Sequence, residues 1–409
     1  MTAQDYKAPE SVSRLGTRAL VVGIIGLIIC TVGLLKDAAH FYQSYLIAFM
    51  LVLGLSLGSL GLLMLQHLTG GHWGILIRRP LEAASRVLWI VIPIFLPVLL
   101  LGMKYLYNGN GEDPGWLNAP THGEGALSEF QQHYLTTHGV LGFYGRAVLY
   151  SVIWIGLMLI FNAWSRRQDV DQDDRRLRRK FKMLAGPGII LYVFVITFAA
   201  IDWVMSLSPH WASTIYGFLF VAGQIISSMA LMIAVLVMLS KSEPFSHIVQ
   251  TRHLHDLGKL LFAFIMLFAY FDFSQLLIIW SGNLPEEISF YRSRLYGEWG
   301  AIAIIVLVCH FFLPFFTLLS RDVKRNRWLL PKVAMWMILM RCVDLFWMTR
   351  PDFGSKAHPA SAIPTLWDLG ALLALGGLWV WFFTIQLKQM PLLPLGEPKL
   401  AEAIGNNEH

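Results

Sequence analysis

The sequence predicts an all-α integral membrane protein of ten transmembrane helices, and three observations predict it. Of its 409 residues, 56% are hydrophobic and 14% charged, against about 25% charged in typical soluble domains. Apolar runs near the length that crosses about 30 Å of hydrocarbon recur along the whole chain. The basic residues alternate in placement: about 24 of the Lys and Arg lie in segments on one side and about 6 on the other, the asymmetry that sets membrane orientation. The net charge of +6 is therefore a topology signal and not a nucleic-acid signal.

The spans follow in order. A polar stretch, MTAQDYKAPESVSRLGTRAL, leads into the first, 18–36. No short apolar region before a small-residue cleavage site is visible, so it reads as a retained helix and not a signal peptide. The second, 44–66, carries LGLSLGSLG, whose Gly54, Gly58 and Gly61 predict a face for close helix packing. The third is 86–107. The outer loop 108–137 then holds His122 and His133, with His138 just after it. Their spacing matches no strong zinc motif, so an ordered or partner-contacting loop is the expectation. The fourth span, 138–164, has Arg146 two turns in, read as a structural counter-charge.

The connection 165–182, SRRQDVDQDDRRLRRKFK, is the most basic of all and puts its side in the cytoplasm, with anionic headgroups or a partner as a second role. The remaining spans are 183–206, 212–240, 257–282, 299–320, 331–350 and 364–387. Both termini then fall on the cytoplasmic side.

Two short matches suggest an internal repeat. The fifth helix ends AIDWVMSLSP (200–209) and the ninth ends CVDLFWMTRP (342–351), each with an aspartate, Asp202 or Asp344, seven residues before a proline. The fourth and eighth exit into SRRQD and SRDVK. An offset of four helices preserves direction, so the repeat is parallel. It predicts a four-helix bundle over 44–206, a second over 212–350, and peripheral first (1–43) and last (364–409) segments.

Ionisable groups within the spans are the candidate functional residues, because each is expensive in hydrocarbon unless paired or hydrated. Asp272 sits mid-helix in FAYFDFSQ beside Tyr270 and reads as part of a polar pathway. Asp202 and Asp344 divide between proton relay and interhelical pairing, Arg341 being one turn from Asp344. His310, alone on an apolar helix, reads first as a satisfied core histidine and second as a relay. His67 closes the second helix. Trp203, Trp211 and Trp347 read as an interfacial aromatic belt.

Cys30, Cys309 and Cys342 are too far apart for a CxxC metal site or a CxxCH haem attachment. His310 has no mid-membrane histidine partner for b-type haem. No cofactor or metal is therefore expected in the chain itself.

The run Asp202-Trp203-Val204-Met205-Ser206-Leu207, with Pro209-His210-Trp211 and Ser213 to Gly217, is the most specific signal. Ser59 to Gly61, Gln66-His67 and Tyr270 to Gln275 add to it. With ten helices in two bundles, these residues resemble the polysulfide-reductase membrane-subunit (NrfD-like) superfamily, most closely the F subunits of bacterial alternative complex III. That resemblance implies a subunit of a quinol:electron-acceptor oxidoreductase in the bacterial cytoplasmic membrane. Its substrate would be menaquinol or a related quinol. Haem c and iron–sulfur clusters would reside in partner subunits, next to a paralogous NrfD-like subunit. An F subunit would be structural and a candidate for proton translocation. A quinol-binding role through His67, Asp202 or His210 is the first alternative, and a stand-alone secondary transporter is the second.

Overall fold

The computed structural model describes residues 6–109, 115–120, 126–127, 131, 134–135, 139–170, 175–354 and 359–405. The loop histidines His122, His133 and His138 lie outside them. Among the described residues nine helices are long and apolar enough to cross a membrane, which makes the chain a multi-pass membrane protein. They are α1 (Glu10–Lys36), α2 (Ala38–Thr69), α3 (Arg78–Leu106), α4 (Gly139–Val170), α5 (Arg175–Trp203), α6 (Tyr216–Leu239), α7 (Thr251–Gly282), α9 (Gly297–Leu319) and α11 (Leu366–Leu387). The remaining expected span forms α10 (Leu330–Thr349), where Lys332, Arg341 and Asp344 are spread along the helix and interrupt its apolar run. A further helix that apolar-run reading did not anticipate, α8 (Pro285–Leu295), connects α7 to α9.

Local chemistry explains the helix ends. Asp37 accepts a hydrogen bond from the His40 backbone N–H at 3.1 Å and so caps α2. Gly70 closes that helix at φ +63, the left-handed conformation that suits glycine. Thr365 and Asp368 form a reciprocal capping box at the start of α11. Helix α8 has Pro285 in its first turn, Glu286 and Glu287 beside it, and Arg292 and Arg294 in its last turn, matching the helix dipole. Pro93 and Pro97 break α3, which passes through a π turn at Val98–Gly102. Helix α9 has a second π turn, Val306–Phe312, which carries His310.

Helix α2 is the central post. It packs on α3, α5, α6, α10 and α11, while α6 packs on α5, α7 and α10, and α1 lies along α11. The glycine face of α2 meets α6 as its spacing predicts: a Cβ at Gly58 would strike the Gln224 backbone, and the Ser228 hydroxyl donates to Leu55 O at 2.9 Å. Gly23 and Gly26 do the same for α1 against Gly377 and Ala374. The outer faces are apolar, with Ile28 on α1, Phe273 and Ile278 on α7 and Phe316 on α9 all exposed. Such faces suit lipid.

Two expectations need correction. The stretch left between the second and third expected spans is not all a connection: residues 78–86 form the first turns of α3, and Arg78, Arg79, Glu82 and Arg86 are all buried. The tryptophans are not an interfacial belt, since Trp203, Trp211 and Trp347 are buried. Helix α8 and neighbouring segments cover the two nearest that end. Trp211 stacks on Phe290 at 4.1 Å and donates to Glu287 O at 3.1 Å, and Trp347 donates to Arg294 O at 3.2 Å.

Candidate functional site

Two acids that the sequence pairs by position, Asp202 and Asp344, are both fully engaged. Asp202 is buried at the end of α5. The Arg146 guanidinium on α4 donates to it through Nε at 2.8 Å and Nη2 at 3.0 Å, and the Tyr150 hydroxyl donates at 2.7 Å. Such a two-point guanidinium–carboxylate fork is the strong form of the interaction. Asp344 is ion-paired with Arg341 one turn earlier on α10. The Arg341 guanidinium also lies over the rings of Phe220 and Phe268, at 5.5 and 5.8 Å, so one cation answers both a carboxylate and two aromatic faces.

Asp272, on α7, is different. It is half-buried and makes no hydrogen bond or ion pair with any described residue. It lies within electrostatic range of Arg341, Asp344 and the Tyr291 phenol. Near it runs a short polar file. The Ser213 hydroxyl donates to Gln275 Oε1 at 3.0 Å, and Gln275 Nε2 donates to the Tyr291 oxygen at 3.2 Å. Burial, and then the Asp272 charge, push the Tyr291 phenol above its ordinary range, so it keeps its proton. Tyr291 also lines a cavity of about 560 Å³ with Leu276, Ile279, Trp280 and Arg292.

His310 is brought to the same half of the molecule. Its ring packs 5.0 Å from that of Phe268, and it senses both Asp344 and Arg341. It is not a satisfied core histidine: it is 3% exposed, yet neither ring nitrogen has a hydrogen-bond partner among the described residues. A π turn at the same place belongs to a class of distortion frequent at functional sites.

No protein-family model matches the chain. A search of the curated proteins finds no match either. The reading of the site therefore rests on its geometry and on the resemblance carried by its residues.

Two expected members stand apart. Tyr270 is 65% exposed and faces away from the bundle, so it does not join Asp272. His67 is at the opposite end of the molecule, stacked on Phe181 with ring centroids 4.0 Å apart and planes 4° from parallel. Among the described residues, no group of three or more His, Cys, Asp or Glu side chains is placed to hold a metal.

Sequence reading missed two buried polar networks. At the end bearing 165–182, Glu82 accepts from Arg78 Nε at 3.2 Å, Arg79 Nη1 at 2.7 Å and the Ser165 hydroxyl at 2.6 Å. Arg78 reaches on to Gln168 and Glu397, Arg79 pairs with Asp169, and Arg86 donates to Asn162 and Gln386. The signal was RRPLEAASR itself, in which one acid stands three and four residues after two arginines. At the far end, Asp368 accepts from Ser44 at 2.6 Å and Thr365 at 2.8 Å, with His40 and Arg350 beside it. The spacing of Thr365 and Asp368 is a capping-box signature and could have been read.

Proposed function

We propose that the chain is a cofactor-free membrane subunit of a respiratory quinol-oxidising complex of the alternative-complex-III type, and that α7 to α10 carry a proton path through Asp272. The observation that carries the proton path is the isolation of Asp272. The two other aspartate candidates are committed, Asp344 to Arg341 and Asp202 to Arg146 and Tyr150. A carboxylate half-buried among membrane helices without a partner costs a few kcal/mol, so a role that needs it to take and give a proton explains its retention. His310 supports the reading, because leaving a buried polar group unpaired costs about 1–3 kcal/mol. The Ser213–Gln275–Tyr291 file and the cavity beside it supply an approach from the far end.

The rest of the reading follows the residues. Ten spans in two parallel four-helix bundles would place 165–182 and both termini in the cytoplasm, in the bacterial inner membrane. Packing of α2 on α6, of α5 on α6 and of α10 on α2 is the contact pattern that a twofold repeat would make. The respiratory assignment, with iron–sulfur and multihaem cytochrome c partners and a paralogous NrfD-like subunit, rests on the resemblance.

The test is Asp272→Asn in the assembled complex reconstituted in vesicles. The expected result is normal assembly and quinol oxidation with fewer protons released per electron. An unchanged ratio would remove Asp272 from the mechanism. A second reading, quinol binding by this subunit, is favoured by the largely apolar cavity at Tyr291. Photolabelling with an azido-quinone separates the two, since label confined to a sister subunit excludes it.

A further inference from the structure

A second cavity, of about 390 Å³, lies at the end of the molecule bearing 165–182, where α2 ends and α5 begins. Arg178, Arg179, Lys182 and Lys399 line it against one carboxylate among the described residues, Glu397. That carboxylate is already answered by Arg78 at 3.0 Å and Gln168 at 3.3 Å. Lys399 donates to Gly70 O at 3.1 Å, which ties the C-terminal segment to the rim. Arg178, Arg179 and Lys182 make no ion pair with any described residue. Among the described residues, two buried side chains in the lining hold polar atoms without a hydrogen-bond partner: the acceptor Gln66 Oε1 and the ring nitrogen His67 Nε2. Gln66 is 4% and His67 8% exposed, and Phe181 fixes the His67 ring by stacking on it.

Concentrated positive charge beside an uncommitted buried imidazole nitrogen that can donate, in a pocket of this size, is the chemistry of a phosphate site. Its level, where α2 and α5 leave the apolar layer, is that of lipid headgroups. Basic pockets between membrane helices take such headgroups. We propose that this cavity binds the phosphate of an anionic phospholipid, with Arg178, Arg179 and Lys182 holding the charge and His67 Nε2 reaching the phosphate as donor. The inference is independent of the proton path and shares with it only the membrane setting.

The test uses the full chain in phosphatidylcholine vesicles and the motionally restricted fraction of spin-labelled phosphatidylglycerol or phosphatidylcholine. The labelled phosphatidylglycerol is expected to be retained selectively. Replacing Arg178, Arg179 and Lys182 with Gln should erase that selectivity, by about fivefold for each charge removed. Arg179→Gln alone, at an exposed position, is the milder variant should the triple one fail to fold. Lys324→Gln with Arg325→Gln, on a short helix at the same end, should leave selectivity intact, and so should added inorganic phosphate. Equal retention of the two lipids, an equal loss in the Lys324/Arg325 variant, or displacement by inorganic phosphate would each overturn the proposal.

Discussion

Gly223 on α6 leaves the space that the Arg341 guanidinium fills: a Cβ at residue 223 would run into it. The arginine reaches Asp344 and the rings of Phe220 and Phe268 from there. Gly223→Ala should therefore displace Arg341 and destabilise the chain by about 1–3 kcal/mol, the cost of overfilling a packed interior. Unfolding of the purified variant in mild detergent checks this. Wild-type stability would show that Arg341 can move aside freely.

Removing Arg146 should be worse than removing its pair outright. Arg146→Met takes both guanidinium donors away from the buried Asp202 carboxylate, and breaking a buried pair this way costs about 3–5 kcal/mol. Adding Asp202→Leu should restore much of the loss. Thermal unfolding of the two variants side by side makes the comparison. A double variant no better than the single one would mean that the aspartate itself is indispensable to the fold.

Glu82 holds two buried arginines, so Glu82→Gln should also cost about 3–5 kcal/mol. Asp169→Asn should cost less, because that carboxylate is 19% exposed and its arginine keeps Glu82. Chemical unfolding of both variants reads the order, and a reversed order would contradict the burial argument.

Tyr291→Phe removes the oxygen that accepts from Gln275, and an amide left unpaired at a buried site costs about 1–3 kcal/mol. The phenol also predicts a pH dependence with a definite sign. Its folded pKa is raised above the unfolded value of about 10, so its contribution is intact below that pH and falls as pH rises beyond it. The phenylalanine variant should lose that part of the alkaline decline. Identical alkaline profiles would show that the phenol ionises as freely in the fold as outside it.

Helix positions were legible because hydropathy reports burial in lipid directly. The starts of α3 and α5 were not, since Arg78 and Arg175 open helices with charges that a membrane reading assigns to loops. Asp272 stood out because nothing near it in sequence could answer its charge. The partners of Asp202 were harder to read: Arg146 and Tyr150 are more than fifty residues away, and only packing of α4 on α5 brings them there. His310 was misjudged for a related reason. Whether a buried imidazole is satisfied depends on groups from other helices, and among the described residues none bonds to it. Tyr270, next but one to Asp272 in the chain, points away because a helix turns about 100° per residue.

The most direct measurement is infrared difference spectroscopy of the assembled complex on addition of quinol, following the carbonyl band of a protonated carboxylic acid. A band that changes with turnover in the wild type and vanishes in Asp272→Asn is the expected result. A band that persists unchanged in Asp272→Asn, or no carboxylic signal at all in the wild type, would contradict a proton path through Asp272.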